Sequence, residues 1–164
     1  LYIILSIATA ARQTALLELT WDRVDFQRGL IDLGTSNGNK GRAVLPMNYS
    51  AERALEEAYK CRLTDHVIEY NGSRIKDIKN AFGKTVKRSG ITRRVNPHML
   101  RHTAAVWMAE SRVPMSEISQ YLGHANTQIT ERVYARYSPD YLKGASSSLE
   151  IGFNCTHEGE AENA

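Results

Sequence analysis

A helix that carries three basic side chains on one face constrains this chain more than any other feature. An Asn-Pro pair at residues 96–97 is typical of a helix start. Beyond it, His98, Arg101 and His102 are spaced i, i+3 and i+4, so they share one helix face. Three such groups would repel each other unless an anion lies among them, and the rigid fork of an Arg matches phosphate oxygens. The helix therefore predicts a site for an anionic phosphate group.

The residues of this helix permit two other interpretations, and they disfavour a third. A run of basic side chains can be a solvated helix face, and His102 can be a histidine packed in the core. Two histidines at i and i+4 can also bind zinc. However, no carboxylate or cysteine lies nearby at ligand spacing, and the Arg between the two histidines opposes a cation. We therefore expect no metal here.

The composition is that of a globular domain. The chain has 164 residues, of which 42% are hydrophobic and 24% charged, which is enough for one domain with a core. A net charge of +3 and a pI near 8.9 permit a nucleic-acid partner without requiring one. Cys61 and Cys155 form no CxxC pair, so we expect a reducing, cytoplasmic environment and no disulfide framework.

The two ends of the chain differ in character. Residues 1–5 are apolar, but Arg12 follows too early for a membrane span, and the basic start of a signal peptide is missing. We expect no membrane association and, without an initiator Met, a chain that is part of a longer protein. Residues 1–150 are predicted to form the folded domain. Residues 151–164 turn to Gly, Asn, Glu and Ala, which predicts a disordered tail.

Periodicity and turn residues predict a mainly α fold with a small three-stranded antiparallel β-sheet (α+β). The strands are expected at residues 24–26, 30–33 and 42–45, with a further short strand at 67–70. Asn48 or Ser50 is expected to cap the helix that follows the sheet. The helices are predicted at residues 1–11, 15–19, 48–61, 76–88, 98–110, 115–122, 127–134 and 139–148.

Residues 116–133 also suggest a non-enzymatic alternative. They form a helix, a turn that contains Gly123 and a second helix, which is the pattern of a helix-turn-helix DNA reader. Many antiparallel helix pairs share this pattern.

Three motifs in order resemble the tyrosine recombinase (phage integrase) family. The second conserved motif of that family resembles His98-x-x-Arg101-His102 together with Leu122-Gly123-His124 and Tyr134. Its first motif resembles Thr9-Ala10-Ala11-Arg12 with Leu19 and Trp21 behind it, and its lysine hairpin resembles the glycine-rich loop with Lys40 and the strand at 42–46.

The resemblance covers residues 1 to about 145 and implies the fold of that family's catalytic domain, without the separate amino-terminal DNA-binding domain. It implies a catalytic set of Arg12, Lys40, His98, Arg101, His124 and the nucleophile Tyr134. His102 becomes a structural support. Two departures bear on this set: Ala15 replaces a frequent acidic residue, and Ser36 stands where many members have the hairpin lysine.

The resemblance also implies an activity. The tyrosine attacks a DNA phosphate, forms a 3′-phosphotyrosine, releases a 5′-hydroxyl and later rejoins the strand, without metal, ATP or other cofactor. Lys40 would be the general acid, and His98 the base for Tyr134. The second tyrosine, Tyr137, is the less favoured nucleophile.

The implied partners are double-stranded DNA and further copies of the chain, as a tetramer on DNA and a monomer without it. A basic segment would follow the DNA backbone, and it comprises Lys84, Lys87, Arg88, Arg93 and Arg94. The protein would be cytoplasmic and associated with the nucleoid when bound to DNA. The alternatives are a non-catalytic DNA-binding protein, either a helix-turn-helix module or a decayed integrase, and a type IB topoisomerase.

Overall fold

The computed structural model of the protein describes residues 1–34 and 44–150, which form eight α-helices, a three-stranded sheet and a two-stranded sheet. The helices are α1 Tyr2–Thr9, α2 Gln13–Leu17, α3 Tyr49–Lys60, α4 Lys79–Arg88, α5 His98–Glu110, α6 Met115–Tyr121, α7 Thr127–Tyr134 and α8 Lys143–Ser147. Two short 3₁₀-helices, Trp21–Arg23 and Ala135–Tyr137, follow α2 and α7. Lys40 and the predicted tail at 151–164 lie outside the described residues.

The three-stranded sheet is antiparallel, as predicted, with strands in the order β1 (Val24–Asp25), β2 (Leu30–Asp32) and β3 (Val44–Pro46). Its central residue Ile31 pairs with Val24 on one side and Leu45 on the other. All three side chains are buried, because residues directly opposite each other on paired strands lie on the same face of the sheet. This face supplies part of the core.

A second, two-stranded hairpin joins β4 (Glu69–Tyr70) to β5 (Ser73–Arg74). Asn71 and Gly72 both have positive φ, at 49° and 70°. An Asn-Gly pair in this conformation matches the twist of a hairpin, so the turn is the one that its sequence predicts.

The buried side chains form two clusters. The first combines α1, α2, the three-stranded sheet and α3, with Leu5, Leu16, Ile31 and Leu55 fully buried. The second lies among α5, α6 and α7 around Ala105, and Ala10 at the end of α1 belongs to it. Since α1 packs on both α3 and α5, it connects the two clusters.

Helix boundaries follow local capping. The Asn48 side chain accepts a hydrogen bond from the Ala51 backbone N–H at 2.9 Å, so Asn48 is the cap of α3. α4 begins at Lys79, later than predicted, because the Asp77 side chain accepts the Lys79 backbone N–H in a turn before the helix.

The predicted start of the last helix at Pro139 was wrong. α8 begins at Lys143, after a turn in which Leu142 has φ 59°. Asp140 is held there by Arg112, whose Nε lies 2.9 Å from the carboxylate. A left-handed residue cannot continue a right-handed helix, so the turn delays α8. No helix within residues 1–34 and 44–150 is long and apolar enough to cross a membrane.

Candidate active site

Arg101 is the centre of the candidate site. Its side chain projects from the first turn of α5 and is only 5% exposed. Nη1 donates to the Ala10 carbonyl at 2.7 Å, and Nη2 donates to the Leu122 carbonyl at 2.7 Å. Nη2 also lies 3.1 Å from Nε2 of His124. One guanidinium thus fixes the ends of α1 and α6 against α5.

The electrostatics of Arg101 are those of a buried cation. Burial, with a smaller contribution from the nearby positive charge of Arg12, lowers the pKa of Arg101 to about 10. Arg101 therefore stays protonated at neutral pH. Its two carbonyl partners are uncharged, and a guanidinium has five N–H donors, so donors remain for an anion.

The first motif explains how the Ala10 carbonyl reaches Arg101. The Thr9 hydroxyl donates to the Leu5 carbonyl at 2.6 Å and accepts the Ala11 backbone N–H at 3.2 Å, which closes the end of α1. Ala10 then adopts a left-handed conformation with φ 48°. The sharp reversal turns the Ala10 carbonyl toward Arg101 and starts the chain toward Arg12, which precedes α2.

The Leu122-Gly123-His124 motif is a helix end. The His124 backbone N–H donates to the Ser119 carbonyl at 2.9 Å, and the Gly123 N–H donates to the Gln120 carbonyl at 2.9 Å. This is the Schellman arrangement, and it requires the positive φ that Gly123 supplies at 60°. The motif therefore presents the Leu122 carbonyl and the His124 ring to the same guanidinium.

His124 is fixed from both sides of its ring. Nε2 lies against Arg101, and Nδ1 lies 2.9 Å from the hydroxyl of Thr130, which is fully buried in α7. Desolvation, followed by the charges of Arg101 and Arg12, lowers the pKa of His124. The ring is therefore neutral at pH 7 in the absence of an anion.

Tyr134 ends α7 inside the site, with its side chain buried. Its hydroxyl lies 3.3 Å from Nδ1 of His102, and the two rings are tilted with centroids 5.3 Å apart. Burial raises the pKa of Tyr134, and the charge of Arg101 partly offsets that shift. The guanidinium is thus close enough to the phenol to favour its anion.

His98 and Arg12 complete the positive surroundings. His98 opens α5 and is exposed, and desolvation followed by Arg101, His102 and Arg12 lowers its pKa. Arg12 is half-buried, and its charge acts on His98, Arg101 and His124 alike. The structure therefore gathers five of the six predicted catalytic residues, and the sixth, Lys40, lies outside the described part of the chain.

Residues outside the predicted catalytic set support this geometry. Thr130 orients His124, and the backbone carbonyls of Ala10 and Leu122 hold Arg101. The Tyr121 hydroxyl donates to the Ala8 carbonyl at 2.7 Å and so joins α6 to α1. The only signal in the sequence was the spacing of Thr130, one helical turn before Tyr134 and on the same face.

The basic segment is separate in character from the site. All five of its side chains, those of Lys84, Lys87, Arg88, Arg93 and Arg94, are exposed. The first three share one face of α4, opposite the buried Phe82, and the last two lie in the loop before α5. Within residues 1–34 and 44–150, no group of three or more His, Cys, Asp or Glu side chains could hold a metal ion.

Comparisons with known proteins find relatives by sequence and by structure. The profile of the phage integrase family matches residues 1–140. The chain is 28% identical over 153 residues to the tyrosine recombinase XerA of Pyrococcus furiosus, across 88% of this chain and 52% of the relative. The chain spans about half the length of the curated relatives that it matches.

Two solved structures share the fold. The Tn1549 transposon integrase, in complex with a circular intermediate DNA, superposes with a TM-score of 0.74 at 21% identity, over 90% of this chain and 57% of that one. The crystal structure of XerA recombinase gives a TM-score of 0.71 at 25% identity, over 93% and 58% of the two chains. These likenesses confirm the predicted fold, that of a tyrosine recombinase catalytic domain.

Proposed function

The chain belongs to the phage integrase family, and we propose that it is the catalytic domain of a site-specific tyrosine recombinase. It would cut and rejoin DNA through a covalent 3′-phosphotyrosine. The observation that carries the proposal is the buried phenol of Tyr134 near a guanidinium, Arg101, that is fixed by two backbone carbonyls and His124. That arrangement combines a nucleophile with preorganised donors for a phosphate.

The scissile phosphate would be held by Arg12, Arg101 and His124. In the transition state, charge grows on the nonbridging oxygens, and fixed donors stabilise it without reorganising. Each charge-assisted hydrogen bond contributes roughly 1.5–3 kcal/mol. A second arginine makes the pocket strongly positive, which supports chemistry that needs neither a metal nor ATP.

The covalent step would be an in-line displacement by Tyr134. Its oxygen bonds to phosphorus, the bond to the 5′-oxygen breaks, and that oxygen takes a proton from a general acid, which we assign to Lys40. The resemblance assigns the phenol proton to His98. Storing the phosphoester on Tyr134 keeps its energy for rejoining to a new 5′-hydroxyl.

DNA would also contact the basic segment. Its exposed cations can neutralise backbone phosphates, which gives affinity that depends on salt and little on sequence. The Tn1549 integrase and XerH recombinase structures are complexes with DNA, which supports the same partner for this chain. We further propose a tetramer on DNA, a monomer without it, weak DNA binding by this chain alone, and a cytoplasmic location on the nucleoid.

A trapping experiment tests the proposed activity. The chain is incubated with end-labelled duplexes that have a randomised core and a nick, so that the cleaved strand is lost by diffusion and the adduct accumulates. A denaturing gel should show a protein–DNA adduct, and mass spectrometry should locate it on Tyr134. Tyr134→Phe should abolish the adduct and leave DNA binding unchanged, because only the nucleophilic oxygen is removed.

Tyr137→Phe is the matched control, since Tyr137 lies one turn later and its ring also faces His102. It should still form the adduct. A non-catalytic DNA-binding protein would bind these duplexes and form no adduct with any variant. A type IB topoisomerase would form the adduct and relax supercoiled plasmid as a monomer.

A further inference from the structure

We propose that His102 is the group that accepts the proton of Tyr134 when the phenol attacks DNA. The inference deepens the proposed function and rests on it. It gives a catalytic role to a residue that the resemblance assigned only to structural support. The role of proton acceptor, which the resemblance assigns to His98, is assigned to His102 instead.

The contact between the two side chains carries the inference. Nδ1 of His102 lies 3.3 Å from the Tyr134 oxygen, within reach of a hydrogen bond. In the tautomer protonated on Nε2, Nδ1 is an acceptor that faces the phenol O–H. Catalytic hydrogen bonds are often long in the absence of substrate and shorten when it binds. The distance is therefore compatible with a general base in the protein without DNA.

The surroundings of His102 restrict its ring. Tyr134 packs against it at 5.3 Å between centroids, and Tyr137 packs edge-on at 6.4 Å and 84°. The imidazole is half-buried between two aromatic rings. A ring held in this way keeps Nδ1 directed at the phenol, whereas a solvated histidine would rotate away.

His98 is placed for a different task. It lies one helical turn earlier, is exposed at the start of α5, and shares the charge field of Arg12 and Arg101. A neutral imidazole in that field is suited to donate a hydrogen bond to a phosphate oxygen. The two histidines of the motif would then divide the work, with His98 on the phosphate and His102 on the nucleophile.

The proton balance is complete with the groups already named. As the Tyr134 oxygen bonds to phosphorus, its proton passes to Nδ1 of His102, which becomes an imidazolium. The bond between phosphorus and the 5′-oxygen breaks, and that oxygen is protonated by the general acid assigned to Lys40. Rejoining reverses each transfer, and Tyr134 leaves with the proton from His102.

The test compares two reactions of the same chain. The first is adduct formation on the nicked duplex pool, which needs the Tyr134 proton to leave. The second is the joining of a 5′-hydroxyl strand to a strand that ends in a 3′-p-nitrophenyl phosphate, with release of p-nitrophenol. This joining needs the phosphate-binding residues, and it is measured in the Tyr134→Phe background, because the phenol of Tyr134 would itself displace p-nitrophenol. In that background the 5′-hydroxyl is the attacking group, so Tyr134→Phe should retain the joining.

His102→Leu should slow adduct formation about 100-fold or more, as loss of a general base does. In the Tyr134→Phe background, the same change should leave p-nitrophenol release by the joining reaction unchanged. His102→Asn keeps an acceptor near the Nδ1 position but cannot take the proton, so it should recover only about tenfold through one retained hydrogen bond. His98→Leu should slow both reactions. Thermal unfolding of each variant verifies that it is folded.

Several outcomes would overturn the inference. Equal losses of both reactions in His102→Leu would mean a structural role, and full recovery in His102→Asn would mean orientation without proton transfer. If His98→Leu selectively loses adduct formation and His102→Leu does not, His98 is the residue that accepts the Tyr134 proton. If the unaltered chain forms no adduct, or Tyr134→Phe still forms one, the proposed function itself fails.

Discussion

Arg101 and the basic segment are both positive, but the protein holds them in opposite ways. The Arg101 guanidinium is buried and fixed by two carbonyls at 2.7 Å. The basic segment, in contrast, is exposed on α4 and the loop behind it. Burial of a charge costs desolvation, yet it fixes the donor positions, while exposed charges stay mobile and are screened by salt. Positive charge therefore gives fixed hydrogen-bond donors at Arg101, whereas in the basic segment it gives affinity for anions without fixed geometry.

The largest effect is expected at Arg101. Arg101→Ala removes the links between α5 and the ends of α1 and α6. Two hydrogen bonds to a charged group contribute roughly 1.5–3 kcal/mol each, and loss of the buried charge recovers part of its desolvation cost, so the free energy of unfolding should fall by about 2–4 kcal/mol. Adduct formation should be lost as well. Urea unfolding measures the first effect and the trapping gel the second.

Two variants sharpen that prediction. Arg101→Lys keeps the charge but not the planar fork that donates to both carbonyls, so it should be destabilised and inactive too. Arg132→Ala removes an exposed arginine of α7 and should change stability by about 0.5 kcal/mol or less. Equal stability of Arg101→Ala and Arg132→Ala would show that burial of Arg101 does not fix the site.

An intermediate effect is expected from pH. The pKa values of His98 and His124 lie below their ordinary value of 6.5 in the folded protein, so the unfolded chain binds more protons. The contribution of these two histidines to the free energy of unfolding should therefore be fully present above about pH 6.5. It should be lost as the pH falls through their lowered pKa values in the folded protein.

Urea unfolding between about pH 7.5 and 5.5 measures this dependence. His124→Gln should make the stability curve flatter, because the more buried histidine no longer titrates. Bound duplex should also flatten it, since a phosphate in the site favours protonated histidine. If the free energy of unfolding has the same dependence on pH in His124→Gln and in the unaltered chain, the acid sensitivity does not come from His124.

The smallest effect on the fold is expected in the basic segment. The double variant Arg93→Gln/Arg94→Gln should leave stability within about 0.5 kcal/mol. Its plot of log binding constant against log salt should become shallower by about 0.9 for each DNA phosphate that the variant no longer neutralises. Fluorescence anisotropy with a labelled duplex at several salt concentrations measures both affinity and slope.

The matched control removes two exposed cations of α3, as Arg53→Gln/Lys60→Gln. Both residues are exposed and lie near carboxylates of the same helix, Glu56 and Glu57. Their loss should leave the salt slope unchanged. If the two double variants lower the salt slope equally, DNA affinity depends on the net charge of the protein and not on the basic segment.

Much of the fold could be predicted from local sequence. The Asn-Gly hairpin, the Asn48 cap and the antiparallel sheet follow from turn chemistry and alternation, which act over a few residues. The start of α8 could not be predicted, because the ion pair between Arg112 and Asp140 joins positions 28 residues apart. Local propensity contains no information about that contact.

The candidate site divides in the same way. The sequence by itself determined the residue types: an arginine flanked by two histidines, a glycine that must end a helix, and a tyrosine in phase with Thr130. Only the tertiary structure decided which of them meet. It set Arg101 on the carbonyls of Ala10 and Leu122, and it set His102 against Tyr134. Helical spacing fixes which side chains share a face, but the partner across that face depends on how α1, α6 and α7 pack on α5.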